Sequence, residues 1–193
     1  YDRAKYGSLH GHVTDLLEVL DACAAGPTVV VGHSVGASIA LLATIAAPER
    51  FRAQVLVGPS PCYVNEGDYT GGFNREDIDG LLEAMEQNFT DWSHKMAPAI
   101  MGAPNQPELG KELTHSFCRN DPSIARHFAR VTFQSDIRAD VVRSTVPALV
   151  SNACNVWPPK VSIRMFPRSP RRAATGRLSV FRMWRKSSYS MKK

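Results

Sequence analysis

The stretch TVVVGHSVGASIALLAT, residues 28–44, places a serine between two glycines where a β-branched run gives way to small apolar residues. Its first part, TVVVG (28–32), has no polar alternation, which predicts a strand buried on both faces of a parallel sheet. Residues 37–47 predict a helix that Pro48 ends. The stretch therefore predicts a strand–turn–helix unit with a serine in its turn.

The turn itself, Gly32-His33-Ser34-Val35-Gly36, fits the G-x-S-x-G pattern of a nucleophile elbow. In such an elbow the serine backbone is strained, the hydroxyl is exposed at the head of the sheet, and the glycines let neighbouring chain approach closely. The Val35 N–H would be an oxyanion donor, because it lies at a helix N-terminus. The alternative is that Ser34 only caps the helix, although the phosphate-binding patterns GxGxxG and GxxxxGK(S/T) are absent from the sequence.

Other segments extend the α/β pattern on both sides of the elbow. Residues 9–23 predict an amphipathic helix, residues 53–58 predict a second buried strand, and residues 145–150 predict a third strand. Between the second and third strands the pattern predicts four consecutive helices, at Asp77–Asn88, Trp92–Ile100, Glu108–Cys118 and Ser123–Gln134. We therefore expect an α/β fold whose parallel sheet carries an inserted four-helix cap over its carboxyl edge, where ligands bind in such folds.

The expected organisation is a core with the elbow at 1–66, a helical cap at 67–143, a core strand at 144–150 and a basic tail at 151–193. The tail holds eleven Lys or Arg and no Asp or Glu, whereas residues 1–150 hold twelve basic and eighteen acidic residues. Its basic and aromatic residues suit nucleic acid in principle. It has no recognisable DNA or RNA motif, however, and few apolar residues, which favours a disordered tail without that function.

The acid and base that a serine nucleophile needs are not recognisable in the chain. In this architecture an Asp or Glu follows a late strand and a His lies near the C-terminus. Here SNACNVWPP (151–159) has no carboxylate, and no His follows His127. His94, His115 and His127 are expected on the cap as surface or packing residues, and His33 is expected to point away from Ser34. The sequence therefore predicts little or no turnover by this chain.

Three segments, GHSVGASIALLATIAAPERF (32–51), VGPSPCYVNEGDYTGGFNRED (57–77) and SIARHFARVTFQSDIRADV (123–141), resemble the RsbQ-like group of α/β-hydrolases. That group is related to the karrikin and strigolactone receptor hydrolases. The resemblance covers residues 1 to about 150 and implies a partial α/β-hydrolase fold, a Ser-His-Asp esterase acting on a small hydrophobic ester or lactone, with Ser34 as nucleophile and Val35 as oxyanion donor. It also implies a signalling protein partner, because the group's bacterial prototype regulates a stress sigma-factor pathway together with a phosphatase.

The chain departs from that pattern at both ends. Roughly the first third of the family fold is missing, with the loop that supplies the other oxyanion donor, and so are the late segments that carry the acid and the Gly-His motif. Read one base upstream, codons for Ser151-Asn152-Ala153 can spell Leu-Gln-Cys, and those for residues 182–186 can spell Pro-His-Val-Glu-Glu, both close to family sequence. We therefore hypothesise that residues 151–193 arise from a frameshift, which sequencing the transcript across this junction tests.

Aromatic residues of the cap region are candidates for the lining of a ligand pocket, namely Tyr63, Phe89, Trp92 and Phe133, although such residues more often pack in a core. Cys62 is expected to pack rather than react. Because the four cysteines are scattered, neither a metal site nor a disulfide framework is expected, and no cofactor. A reduced, cytoplasmic protein without a membrane segment is expected. Two functions stay open, an ester hydrolase and a small-ligand sensor that signals through a partner.

Overall fold

The structure, a computed structural model, describes residues 1–151 and 164–165. Its helices are α1 (Leu9–Ala22), α2 (Val35–Ala46), α3 (Arg75–Gln87), α4 (Phe89–Met101), α5 (Pro107–Cys118), α6 (Pro122–Phe133) and the short α7 (Arg138–Val141), with a 3-10 turn at Pro48–Arg50. Its strands are β1 (Thr28–His33), β2 (Phe51–Val57), β3 (Ala148–Ser151) and β4 (Arg164–Met165). None of the helices in this part of the chain is long and apolar enough to cross a membrane.

The sheet has the order β1-β2-β3-β4, with the first three strands parallel and β4 antiparallel to β3. His33 lies opposite Val57, and Val57 lies opposite Ser151, so the three parallel strands end in line. The residues that follow β1 and β2 therefore meet at one carboxyl edge, which is the edge predicted to bind ligands.

Helix α2 packs on one face of β1 and β2, α1 packs on α2, and residues of both helices and of the strands form the main hydrophobic core. The core includes one large polar side chain, Gln54 of β2, which is fully buried. Its amide donates to the Ser144 hydroxyl at 2.8 Å and to the Val146 carbonyl at 3.3 Å, while the Thr44 hydroxyl donates to its oxygen at 3.3 Å. These bonds offset the desolvation of the amide and tie β2 to the segment before β3.

The prediction that β1 is buried on both faces is wrong. Val29 and Val31 have exposed fractions of 55% and 67%, whereas Val30 packs against the core. The exposure has a geometric reason, since β1 is an edge strand of the described sheet and α2 covers only the face that Val30 points to. A run of β-branched residues does not by itself distinguish a strand covered on one face from a strand covered on both.

The four consecutive cap helices are confirmed as α3 to α6 between β2 and β3. They carry a second, separate hydrophobic cluster built on Ile78, Leu82, Met85, Phe89 and Ala129. Helix starts are set by side chains that cap free N–H groups, as at α4, where Asn88 accepts from the Asp91 N–H, and at α6, where Asp121 accepts from the N–H groups of Ser123 and Ile124. The predicted boundaries between the core and the cap, after residues 66 and 143, stay a prediction.

The third strand begins and ends later than the sequence indicated, at Ala148–Ser151 instead of 145–150. Ser151 belongs to this strand and not to the tail, because its carbonyl accepts a hydrogen bond from Gly58 at 2.7 Å. Arg164–Met165 adds a two-residue strand beside it. The expectations of a disordered basic tail and of a shifted reading frame otherwise concern residues that lie outside the described ones.

Candidate active site at the β1–α2 turn

Ser34 lies between the last residue of β1 and the first residue of α2, with φ 54° and ψ −125°. A positive φ is uncommon for a residue with a Cβ and costs of order 1–3 kcal/mol, so surrounding contacts must hold it. Two backbone hydrogen bonds do so: the Ser34 N–H donates to the Val57 carbonyl and the Ser34 carbonyl accepts from Ala37, both at 2.9 Å. The strained turn is therefore anchored to the neighbouring strand on one side and to the helix on the other.

Comparison with a second serine of the chain, Ser8, tests whether Ser34 is only a helix cap. Ser8 precedes α1 with extended backbone, φ −148° and ψ 171°, and its hydroxyl accepts a hydrogen bond from the His10 N–H at 3.3 Å. Ser34 occupies the same position before α2, but its hydroxyl makes no capping hydrogen bond, and none to any other described residue. The interpretation that Ser34 only caps the helix therefore finds no support in this geometry.

The two glycines of the motif differ in what they are needed for. A Cβ on Gly32 would lie 2.3 Å from the Gly36 carbonyl oxygen and 2.6 Å from the Ala37 Cα, because the start of α2 folds back over β1. A Cβ on Gly36 would meet no atom within 4 Å among the described residues. The close approach expected at both glycines is thus observed only at Gly32.

Val35 is the first residue of α2, so its backbone N–H belongs to the first turn, where N–H groups have no acceptor within the helix. A free N–H beside the Ser34 hydroxyl has the chemistry of an oxyanion donor. The local positive end of the helix dipole adds to the same effect.

The loop after β2 is bound to α2 one turn below the elbow. The buried Ser38 hydroxyl donates to the Ser60 carbonyl at 3.1 Å, and the Ser60 hydroxyl donates to the Cys62 carbonyl at 3.0 Å. Burial raises the pKa of the Cys62 thiol, which keeps it protonated and agrees with a packing role. The segment 58–63 is therefore fixed relative to Ser34 through α2.

That loop is in turn joined to the end of the cap by an ion cluster around Arg138. Its guanidinium contacts the carboxylates of Asp136, at 2.5 Å, and of Glu66, and lies 4.8 Å from the centre of the Tyr69 ring. Ile137 donates its N–H to the Pro61 carbonyl at 2.8 Å, and the Tyr69 hydroxyl donates to the Cys62 carbonyl at 3.2 Å. We call Arg138, Asp136, Glu66 and Tyr69 the cap latch.

Two members of the latch have shifted pKa values. The Arg138 guanidinium lowers the pKa of the Asp136 carboxyl below its ordinary value, chiefly through their hydrogen bonds. Burial raises the pKa of the Tyr69 hydroxyl to about 12. At neutral pH Asp136 is therefore ionised and can pair with Arg138, and the Tyr69 hydroxyl keeps the proton that it donates in its hydrogen bond.

The four residues predicted to line a pocket belong to the hydrophobic cluster of the cap, where they form two ring pairs; we call them the aromatic cluster. Tyr63 and Phe133 have ring centres 5.2 Å apart at an interplanar angle of 66°, and Phe89 stacks on Trp92 at 6.2 Å. Phe89 is buried as a packing residue, while Tyr63, Trp92 and Phe133 are partly exposed. The indole N–H of Trp92 is buried and has no acceptor among the described residues, so an unpaired donor lies within this apolar cluster.

The histidines of the cap do not approach Ser34 through any hydrogen bond of the described residues. The His94 ring contacts the Thr90 carbonyl at 2.8 Å within its own helix, and the His127 ring donates to the Tyr6 carbonyl at 3.1 Å. The interpretation of these two as surface or packing residues agrees with these contacts. The cap latch was missed from the residues alone, although the segments that carry the family resemblance, 57–77 and 123–141, contain all four of its members.

A parallel α/β sheet with an inserted helical cap, and a strained serine at the turn between its first described strand and a helix, defines the class of α/β proteins with a nucleophile-elbow geometry. The chain belongs to the alpha/beta hydrolase family, whose model matches residues 1–186. It is 37% identical over 147 residues to a probable esterase of Oryza sativa subsp. japonica, a match that spans 76% of this chain and 54% of that protein.

Two further relatives and one solved structure are similar to this chain. "Karrikin insensitive 2 receptor CA" of Petunia hybrida is 36% identical over 76% of this chain and 54% of its own length. A strigolactone esterase of Arabidopsis thaliana is 35% identical over 78% of this chain and 56% of its own length. A hydrolase from Oleispira antarctica superposes with a TM-score of 0.77 at 36% identity, covering 83% of this chain and 60% of that one. The chain thus spans about half the length of the curated relatives it matches.

Proposed function

We propose that this chain carries the nucleophile of a serine hydrolase that acts on a small hydrophobic ester or lactone, with Ser34 as the nucleophile and Val35 as an oxyanion donor. The observation that carries the proposal is the backbone of Ser34, which is strained at φ 54° while its hydroxyl makes no hydrogen bond to a described residue. A capping serine would have extended backbone and a bonded hydroxyl, as Ser8 has. Family membership supports the same assignment.

The proposed chemistry is acyl transfer. The Ser34 hydroxyl oxygen attacks the ester carbonyl carbon, the carbonyl oxygen becomes negative and accepts a hydrogen bond from the Val35 N–H, and the alcohol leaves as the acyl-serine forms. The hydroxyl proton has to pass to a base, and no histidine among the described residues is hydrogen-bonded to Ser34. We therefore propose that acylation by this chain is slow and that turnover is weak, in agreement with the prediction from the sequence.

Covalent labelling tests the proposal. The 193-residue chain is incubated with a fluorophosphonate ester, and the modified residue is located by peptide mass spectrometry. The expected result is one adduct, on Ser34, which is lost in Ser34→Ala and kept in Ser116→Ala, a matched control on α5. Labelling of a different residue, or equal labelling of Ser34→Ala, would refute the assignment.

A second function, a ligand sensor that signals through a protein partner, is supported by two observations. Relatives carry the names of karrikin and strigolactone receptors or esterases. The unpaired Trp92 indole N–H suits a ligand acceptor, because a buried donor without a partner costs about 1–3 kcal/mol. A synthetic strigolactone that raises the melting temperature without release of product, and does so equally in Ser34→Ala, would favour the sensor. Loss of this stabilisation in Trp92→Phe would place the ligand at the aromatic cluster.

A further inference from the structure

A cleft of about 220 Å³ lies away from the elbow, where the first residues of the chain meet helices α3 and α6. It is lined by Arg3, Glu86, Ser123, Arg126, His127 and Arg130. None of these six residues belongs to the nucleophile elbow, the aromatic cluster or the cap latch. The cleft is smaller than the roughly 300–1,000 Å³ of pockets that enclose drug-sized ligands, so it suits a small group.

The lining of the cleft carries a net positive charge. Its three guanidinium groups and one carboxylate, that of Glu86, leave two positive charges in excess without counting His127. The nearby Asp121 carboxylate interacts electrostatically with Arg126 and offsets part of this excess. Glu86 holds Arg126 and Arg130 at 3.5 and 3.4 Å, longer than the roughly 2.7–2.9 Å typical of charge-assisted hydrogen bonds. The Glu86 carboxylate therefore pairs with Arg126 and Arg130 but leaves N–H donors of both guanidinium groups without a hydrogen bond to it.

Most of the guanidinium N–H groups are free to bind a ligand. Within the described part of the chain, Arg3 makes one side-chain hydrogen bond, to the Ser123 carbonyl at 3.5 Å, and Arg130 makes one, to Glu86. Each guanidinium has five N–H donors in a planar fork. Arg126 is the better-held member, since it also donates to the carbonyls of Pro122 and Glu86 at 3.0 and 3.1 Å.

The segment that carries Arg3 is held in place. The Asp2 carboxylate accepts from the N–H groups of Ala4 and Lys5, the His127 ring donates to the Tyr6 carbonyl at 3.1 Å, and Lys5 pairs with Asp15 of α1 at 2.6 Å. A Cβ on Gly11 would lie 2.2 Å from the Lys5 carbonyl oxygen, so this segment packs directly on α1. Ordering of the segment before binding reduces the entropy that a ligand has to overcome.

We propose that this cleft is a binding site for a phosphate group, carried by a small molecule or by a lipid headgroup, and that Arg3 and Arg130 are its principal donors. Guanidinium forks match the tetrahedral oxyanion of a phosphate better than other side chains do. The N-terminus of α6 takes no part, because Asp121 already occupies its first N–H groups at 2.7 and 3.3 Å. The site is independent of the proposed hydrolase function.

Titration with inorganic phosphate at constant ionic strength, followed by amide NMR shifts of the 193-residue chain, tests the proposal. Saturable shifts confined to α6, the end of α3 and the first six residues are expected. Arg130→Gln and Arg3→Gln each weaken binding about tenfold, the effect of removing one charge-assisted hydrogen bond. Arg75→Gln, which removes an equal charge at the start of α3 but does not line the cleft, leaves binding unchanged.

Shifts of the same size with chloride, no saturation, or equal weakening by Arg75→Gln would overturn the proposal. A parallel arm with vesicles containing phosphatidic acid distinguishes the two sources of the phosphate group. Binding to vesicles that Arg130→Gln abolishes, with free phosphate competing, would identify a headgroup site. Binding of free phosphate without vesicle binding would identify a soluble ligand. Because Arg3 is exposed and the Arg130 side chain is half exposed, the variants are expected to fold.

Discussion

Ser34 and Gly32 depend on each other at the scale of single residues. Ser34 holds a positive φ, and this turn brings the Gly36 carbonyl within 2.3 Å of the place where a side chain on Gly32 would begin. The glycine before the serine therefore has no room for a Cβ, whereas the glycine after it has. The two glycines of the G-x-S-x-G pattern therefore differ physically: the first has to lack a Cβ, and the second does not.

Substitution of these glycines tests that difference. In Gly32→Ala the new methyl group meets backbone atoms that cannot move separately, so we expect a loss of about 1–3 kcal/mol in the free energy of unfolding. In Gly36→Ala the methyl group enters open space in the first turn of a helix, and a gain of up to about 1 kcal/mol is expected. Urea unfolding of both variants measures the two changes, and equal destabilisation of the pair would contradict the described elbow.

At the scale of elements, the cap latch connects the loop after β2 to the segment between α6 and the start of α7. Arg138 bridges Asp136, two residues away, and Glu66, 72 residues away, and covers the Tyr69 ring. Its Asp136 partner titrates below its ordinary pKa because of this contact. The stability that Asp136 contributes is thus present above the ordinary pKa of an aspartate, about 3.9, and is lost as the pH falls through its lowered value.

Arg138→Gln removes the bridge, and we expect it to lower the free energy of unfolding by about 1 kcal/mol at pH 7. Because Asp136 then titrates nearer its ordinary pKa, the stability of the variant should fall less steeply than that of the parent below about pH 4. Thermal melting from about pH 2.5 to neutral pH measures both effects. Arg143→Gln, which removes a local pair with Asp140, is the control. A parallel pH dependence of Arg138→Gln and the parent would show that the latch does not hold Asp136.

The elements themselves were largely predictable from sequence. Helical spacing of apolar residues located α1 and α3 to α6 within a few residues of their ends, and a run of small and aliphatic residues closed by Pro48 located α2. The latch was not predictable from local pattern, because Arg138 and Glu66 lie 72 residues apart and such a contact leaves no periodic signal in the sequence. The unpaired Trp92 donor was equally hidden, because its environment depends on three-dimensional packing.

At the scale of the whole molecule, the described elements leave the outer face of β1 uncovered. Val29 and Val31 point outward from β1, while Val150 of β3 is buried in the core at 8% exposure. The same substitution at these positions should therefore have different costs. The sequence predicted burial of Val29 and Val31 because both lie in a β-branched run without polar alternation.

Val31→Thr is expected to change the free energy of unfolding by less than about 0.5 kcal/mol, as for other surface positions. Val150→Thr buries a hydroxyl and is expected to cost about 1–3 kcal/mol. Urea unfolding at equal protein concentration compares the two. A cost at Val31 as large as that at Val150 would show that this face is covered in solution.

The central claim, that Ser34 is a nucleophile, is tested most directly by the release of p-nitrophenolate from p-nitrophenyl butyrate at high protein concentration. The account predicts a slow release that levels off near one equivalent per chain, because acylation without a recognised base is slow and hydrolysis of the acyl-serine is slower still. This release is expected to be kept in Ser116→Ala and to be absent in Ser34→Ala. Release of the same amount by Ser34→Ala, or none above the buffer rate in the parent, would contradict the account.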